Sequence, residues 1–265
     1  MKTKSRITSL LKANNLDFPG AGLQTFNLSE LILTDELEFE LPTNLRLGHL
    51  AERIVSELIK SSLNFQVLYE NIQIVEDKKT IGEIDFIIQN KNTNQIIHVE
   101  LAYKFYLFDP NFTSKPINNW IGPNRNDSLI EKLEKLKTKQ FPLLYHNAAK
   151  QQFNNIELNK VSQALCLLVS LYIPFEYKGT FSSMYKKAIK GYYLSMETFI
   201  SHHNPEKKYY IPSKKEWGMV PSENEIWLDF NTIEEHIKTT IKEKQALLCW
   251  QKHKNSYLTF FIIWW

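Results

Sequence analysis

The stretch GEIDFIIQNKNTNQIIHVELAYK, residues 82–104, reads as two β-strands joined by a short polar turn. Ile81 to Gln89 and Gln95 to Tyr106 are rich in β-branched and aromatic residues that alternate with others, and Asn90 to Asn94 is wholly polar. Side chains on a strand point alternately to its two faces. Ile84, Phe86 and Ile88 therefore share a core face with Ile97, Val99, Leu101, Tyr103 and Phe105. Glu83 and Asp85 share the other face with His98, Glu100, Ala102 and Lys104.

A turn centred between Asn92 and Thr93 pairs residues whose numbers sum to 185, which sets Asp85 opposite Glu100. Directly opposed residues have Cβ atoms about 5 Å apart. Two carboxylates at that distance repel unless something compensates, either a hard divalent cation or a shared proton. A slip of one residue would send one of them to the other face.

Working outward, Leu45 to Ile59 has the apolar spacing of an amphipathic helix, with Leu47, Leu50, Ala51, Ile54, Val55 and Leu58 inward and His49, Arg53, Ser56 and Lys60 outward. Phe65 to Val75 reads as a strand. After a loop with Pro110, Pro116 and Pro123, Ser128 to Lys139 reads as a helix opened by a Ser128–Glu131 capping box and ended by Pro142. Val161 to Ile173 contains the continuous apolar run of a strand buried on both faces. The order helix, three-stranded meander, helix, strand makes an α/β fold. Residues 1–40 suggest short helices ending in the acidic stretch Asp35 to Glu40. Ser182 to His202 and Thr232 to Leu248 read as helices, and Glu225 to Phe230 and Tyr257 to Trp265 as strands. The expected organisation is an N-terminal extension (1–43), a core (44–176) and a C-terminal α/β extension of the same globule (177–265).

Hydrophobic residues make up 43% and charged residues 23% of the 265 residues, ordinary for a globular chain. No apolar run reaches the roughly 18 residues of a membrane span, and no secretion signal opens the sequence. The two cysteines have no CxxC partners, so a cytoplasmic setting is expected. Net charge is only +3, but residues 101–160 carry nine Lys/Arg against five Asp/Glu. That basic excess suits phosphates, and equally suits a solvated helix face. No nucleophile elbow, Walker loop, dinucleotide fingerprint or His-Glu-x-x-His is present. Glu52 sits at the border of the helix's apolar stripe, where it can reach over the sheet as a third carboxylate. Gly48, one turn earlier, would admit a close backbone. Glu57 occupies the opposite border, and position alone does not choose between them.

These segments resemble the PD-(D/E)XK nuclease superfamily through Gly48-x-x-x-Glu52, Gly82-Glu83-Ile84-Asp85-Phe86 and His98-Val99-Glu100-Leu101-Ala102-Tyr103-Lys104. Gln140 to Tyr145 loosely resembles the Gln…Tyr element of its RecB-like branch, with one residue more. More narrowly, these strand segments, with Trp120-Ile121-Gly122-Pro123-Asn124, Asp127, Leu129, Lys132 and Gln140, resemble an uncharacterised bacterial family, domain of unknown function 1853.

The resemblance implies a restriction-endonuclease-like core with a helical N-terminal and a mixed C-terminal addition. It implies Mg²⁺ (or Mn²⁺) at Asp85 and Glu100, with the Leu101 carbonyl as a neutral ligand and Glu52 direct or through water. The superfamily's lysine follows the acid by two residues. Ala102 stands there instead, and Lys104 lies about 13 Å along the strand from Glu100, against about 6.6 Å for the usual spacing. Lys104 is the expected catalytic cation, Lys132 on the next helix the other option, and a Lys104–Glu83 pairing the purely structural one. Asn124, Arg125, Lys132 and Gln140 are expected at the substrate backbone, and Trp120 either stacks on a base or anchors the loop. The implied activity is phosphodiester hydrolysis in nucleic acid, DNA ahead of RNA, with no membrane partner. A degenerate nucleic-acid binder or a protein-interaction module is the alternative. The adjacent His202 and His203 diverge and read as a surface pair, and the late aromatics Tyr192, Tyr193, Tyr209, Tyr210 and Trp264 as a second core or a protein-contact surface ahead of a base-stacking platform.

Overall fold

Helix α1 (Leu47–Lys60) forms where the apolar spacing is helical, and it buries Leu50, Ala51, Ile54, Val55, Leu58 and Ile59. It leads into strands β1 (Phe65–Glu76), β2 (Lys79–Asn90) and β3 (Ile96–Phe108). Helix α2 (Leu129–Lys135) and strand β4 (Ser162–Pro174) follow. This is a computed structural model, and it describes residues 3–18, 22–34, 37 and 39–265. Asp35, Glu36 and Glu38 of the acidic stretch lie outside the described residues. The fold is mixed α/β; the expected elements occur in sequence from α1 to β4, with a short strand Trp120–Ile121 paired to β3 before α2 and a short helix Asn147–Lys150 before β4.

The chain forms two compact units from interleaved segments, 15–103 with 131–168 and 2–14 with 104–130 and 169–265. The expected boundaries at 43 and 176 instead follow the chain. In the first unit, β1 to β4 lie in that order, with antiparallel pairing through the meander. Ser56, expected outward on α1, is buried and donates to Glu70 of β1. The helix begun by α2 is not ended by Pro142. It runs through a π turn, Leu136–Gln140, into Phe141–Leu143, with the Phe141 N–H bonded to the Leu136 carbonyl. Pro142 falls in the first turn of that last segment, where its missing N–H costs little.

The second unit places the end of β4 beside β5 (Ile189–Ser195), which pairs in parallel with β8 (Ser256–Ile263). Strands β7 (Leu247–His253) and β6 (Lys208–Tyr210) continue antiparallel. Helix α3 (Phe230–Lys242) is capped by Asp229, whose carboxylate accepts from the Thr232 N–H at 2.9 Å. Phe199, Tyr209, Phe230 and Phe260 build the second core that the late aromatics suggested. The helix expected over Ser182 to His202 is two short helices, Ser183–Ala188 and Met196–Ser201, on either side of β5. Its middle is rich in Ile and Tyr, and Gly191 lies so close to β8 that a Cβ there would meet the Thr259 carbonyl oxygen at 1.8 Å. The strand expected over Glu225 to Phe230 reduces to one bridge, Leu228 with Tyr209, because Asp229 starts α3. Among the described residues no helix is long and apolar enough to cross a membrane.

Gly48 is exposed and a Cβ there meets nothing within 4 Å, so the close approach expected at this glycine does not occur. Urea unfolding should show Gly48→Ala stabilised by about 0.5–1 kcal/mol, and Gly191→Ala destabilised by about 1–3 kcal/mol or more.

Candidate dicarboxylate site

The β2–β3 ladder pairs Phe86 with Val99, Ile87 with His98, Ile88 with Ile97 and Gln89 with Ile96, so paired numbers sum to 185. The pairing ends one step before Asp85 and Glu100. Both are buried, at 8% and 0% exposed. The acid-bearing face is thus an interior face and not a solvated one.

The Asp85 carboxylate, through Oδ2, accepts from the Leu101 N–H at 2.8 Å. Glu100 is held from two sides: Gln140 Nε2 donates to Oε2 at 2.6 Å, and His98 Nε2 lies 2.8 Å from Oε1. The histidine tautomer follows from its neighbours. Gln163 Nε2 donates to the Phe141 carbonyl at 2.8 Å, which fixes the orientation of that amide, and the same nitrogen lies 3.1 Å from His98 Nδ1. Nδ1 therefore accepts, and Nε2 carries the hydrogen that it donates to Glu100. Gln140 in turn accepts from Lys132 Nζ at 2.9 Å. Eight residues separate these two, which on a regular α-helix would leave them well out of line. The π turn takes up about one extra residue, so the separation counts as about seven, or two full turns.

Burial pushes the Asp85 carboxyl up to about 8, and the charge of Glu100 adds to the rise. Burial also pushes Glu100 up to about 8, against the Lys132 ammonium and a hydrogen bond from the Asp85 backbone, while Glu83 and Glu52 add to the rise. Burial takes His98 down to about 4, keeping it neutral. Both Glu100 oxygens accept N–H donors and Asp85 accepts one at Oδ2, so a proton held by the pair sits best on Asp85.

Glu57 is engaged by Arg53 at 2.9 Å, whereas Glu52 faces His49 at 3.0 Å and its charge acts on both buried carboxyls. Of the two, Glu52 is the one whose charge acts on the buried pair. Lys132 is the cation whose field reaches both carboxyls. Lys104, expected as the catalytic cation, donates to Asp127 at 2.8 Å. Leu101 contributes its N–H.

The expected substrate contacts divide. Lys132 and Gln140 belong to the Glu100 network. Trp120 is 1% exposed and packs against Phe108, Phe181 and Tyr185, so it anchors the loop and has no face free for a base. Asn124 Oδ1 accepts from the Ala246 N–H at 2.8 Å. Arg125 bonds Asp109 at 3.1 Å and lies over the Trp265 ring at 4.5 Å. Gly122 lies against the Asp127 carboxylate, whose Oδ1 a Cβ would meet at 2.1 Å, so a side chain there would displace the Asp127 side chain. The Trp120–Asp127 segment is therefore built by its own contacts. Gln163 and the Phe141 carbonyl were not foreseen. His98 had a signal, two residues before Glu100 on one strand face. Gln163, at the polar start of an apolar strand, had none.

Fold and site together define a mixed α/β protein with a buried, hydrogen-bonded carboxyl pair. The chain belongs to the family described as Domain of unknown function (DUF1853), which matches residues 5–257. No curated protein and no solved structure matches it.

The shifts set a pH dependence with a definite sign. Between pH 6.5 and about 8 the folded carboxyls bind protons that the unfolded chain has released, which outweighs the roughly half proton or less that unfolded His98 binds near pH 6.5. Stability of the metal-free protein therefore falls as pH rises through that window. Thermal unfolding at pH 6.5, 7.2 and 8 with EDTA checks this, and Asp85→Asn should flatten the slope. A parent protein whose stability climbs across the window would contradict the burial of the pair.

Proposed function

We propose that the protein is a Mg²⁺- or Mn²⁺-dependent nuclease, with a restriction-endonuclease-like PD-(D/E)XK core over residues 44–176, that hydrolyses phosphodiester bonds in nucleic acid, DNA ahead of RNA. The observation that carries it is the buried Asp85–Glu100 pair, held side by side by one β-turn. Their charged forms are penalised by burial, so a cation there gains what water cannot supply.

The donor set fits a hard divalent cation. Mg²⁺ is bound by one or two carboxylates while it keeps several waters, and Asp85 and Glu100 are two carboxylates on one strand pair. Among the described residues no group of three His, Cys, Asp or Glu gathers to hold a metal, so the direct carboxylates would number two and Glu52 would act through water. Asp85 and Glu100 would hold the metal, with the Leu101 carbonyl as a further ligand. When bound, the metal supplies a water of lowered pKa and stabilises charge on the phosphorane-like transition state.

The chain's own groups do the rest. His98 and Gln140 orient Glu100 with neutral donors, which leaves its charge in place. Lys132, reaching Glu100 through Gln140, stands as the superfamily's lysine in place of Lys104. Lys135 and Lys139, about one turn apart on the same helical segment, are exposed and offer a phosphate backbone two cations on one face.

The test is a cleavage assay on linear, nicked and single-stranded DNA and on RNA, with Mg²⁺ or Mn²⁺. Asp85→Asn and Glu100→Gln should each lose at least a hundredfold in rate. Lys132→Ala should lose at least tenfold, while Lys104→Ala stays within about twofold to threefold of the parent. Parent rates in both carboxyl variants would end this reading. Salt-sensitive DNA binding without cleavage in the parent would replace it with the degenerate binder.

A further inference from the structure

We propose that the second unit carries a nucleobase-binding cavity, read by the side-chain amide of Gln251 and bordered by Lys207 for a phosphate. This site is independent of the carboxyl pair.

The sheet rows build its floor. Gln251 on β7 stands opposite Leu258 on β8 and Tyr209 on β6, and Phe260 stands opposite Tyr192 on β5. Along β7, the alternate positions Leu247 and Cys249 on this face are buried in the aromatic core. Gln251 comes next in the same row. It is 7% exposed, and its amide has no hydrogen-bond partner among the described residues. An apolar residue would finish that core row, whereas this position carries an amide whose donor and acceptor are open to solvent or a ligand. Its amide instead lines a cavity of about 240 Å³.

The remaining walls specify the ligand. His202, Phe175, Tyr192 and Phe260 form a run of rings with centroids 5.0, 5.0 and 5.2 Å apart, and Phe199, Tyr209, Leu194 and Leu258 also line the cavity. The volume falls below the roughly 300–1,000 Å³ of pockets that enclose whole drug-sized molecules, so it suits a single ring system. A primary amide presents a donor and an acceptor side by side. Its complement is a flat ring with the same pair on one edge, as the nucleobases have, adenine among them. Lys207 is half-exposed at the rim and spends one hydrogen on the His202 carbonyl at 2.9 Å, leaving two for a phosphate outside the cavity.

The experiment is calorimetric titration of the full chain, in EDTA, with AMP, GMP, CMP, UMP, the matching nucleosides, indole and a four-nucleotide single-stranded DNA. At least one base should bind. Gln251→Leu should weaken it tenfold or more while raising the melting temperature of the ligand-free protein, and Gln251→Met serves if the leucine variant does not fold. Lys207→Ala should weaken the nucleotide and leave the nucleoside unchanged. A mononucleotide binding as tightly as the oligonucleotide identifies a free nucleotide as the ligand, and a tighter oligonucleotide identifies a strand. Failure of every base at millimolar concentration overturns the proposal, as does unchanged binding in both Gln251 variants. Indole bound as well as the bases, and indifferent to Gln251, would make this a plain apolar cavity and also overturn it. None of these outcomes touches cleavage at Asp85 and Glu100.

Discussion

Two carboxyl groups held together in a buried place constrain everything around them in the first unit. They meet because the turn between β2 and β3 allows one register. Asn90 Oδ1 accepts from the N–H groups of Asn92 and Thr93, at 2.9 and 3.2 Å. Asn94 adopts a left-handed φ of 60°, and the Asn90 N–H closes on the Gln95 carbonyl at 2.9 Å. Asparagine tolerates that conformation and bonds its own backbone, so the turn is fixed by residue type. A slip of one residue would move Asp85 or Glu100 to the opposite face.

Once that register is set, the surroundings must supply donors. The Leu101 N–H serves Asp85, while Gln140 and His98 serve Glu100. Gln140 reaches its place because the helix after α2 loosens into a π turn that brings it into line with Lys132. His98 is pinned by Gln163 from β4, whose own amide is oriented by Phe141, the residue next to Gln140. Each donor to Glu100 is thus fixed by a contact reaching back to the same helical segment, so a shift of that segment disturbs both oxygens together.

The sequence made the meander, its register and the acid pair readable because period-two alternation and turn chemistry are local signals. It also gave Glu52 as a candidate at a helix border, while the action of its charge on the pair is visible only in three dimensions. Lys104 was misleading for a physical reason. Strand alternation tells which face a side chain leaves from, and the partner that captures it, Asp127, is brought by a loop whose turn around Gly122 is not a periodic feature. Trp120, Asn124 and Arg125 had the composition of a contact loop, but that composition also suits a loop closed on itself. In the second unit, β5 was hidden inside an apparently helical stretch, since the consecutive Tyr192, Tyr193 and Leu194 give no period-two alternation to mark a strand. Its strand state depends on the parallel neighbour β8, some seventy residues later in the chain.

The manner of compensation at the pair bears on why it exists. A buried ion pair made for structure alone would set a cation directly against each carboxylate, and replacing it with apolar residues is often neutral or stabilising. Here the two donors on Glu100 are uncharged, and Lys132 bonds Gln140. Neutral donors fix the direction of a carboxylate without cancelling its charge. What remains is an oriented negative pair that takes a proton below about pH 8 and has a reason to take a cation above it. The retention of that proton follows from the burial itself, since each carboxyl has been taken from water into a place where its charged form is penalised.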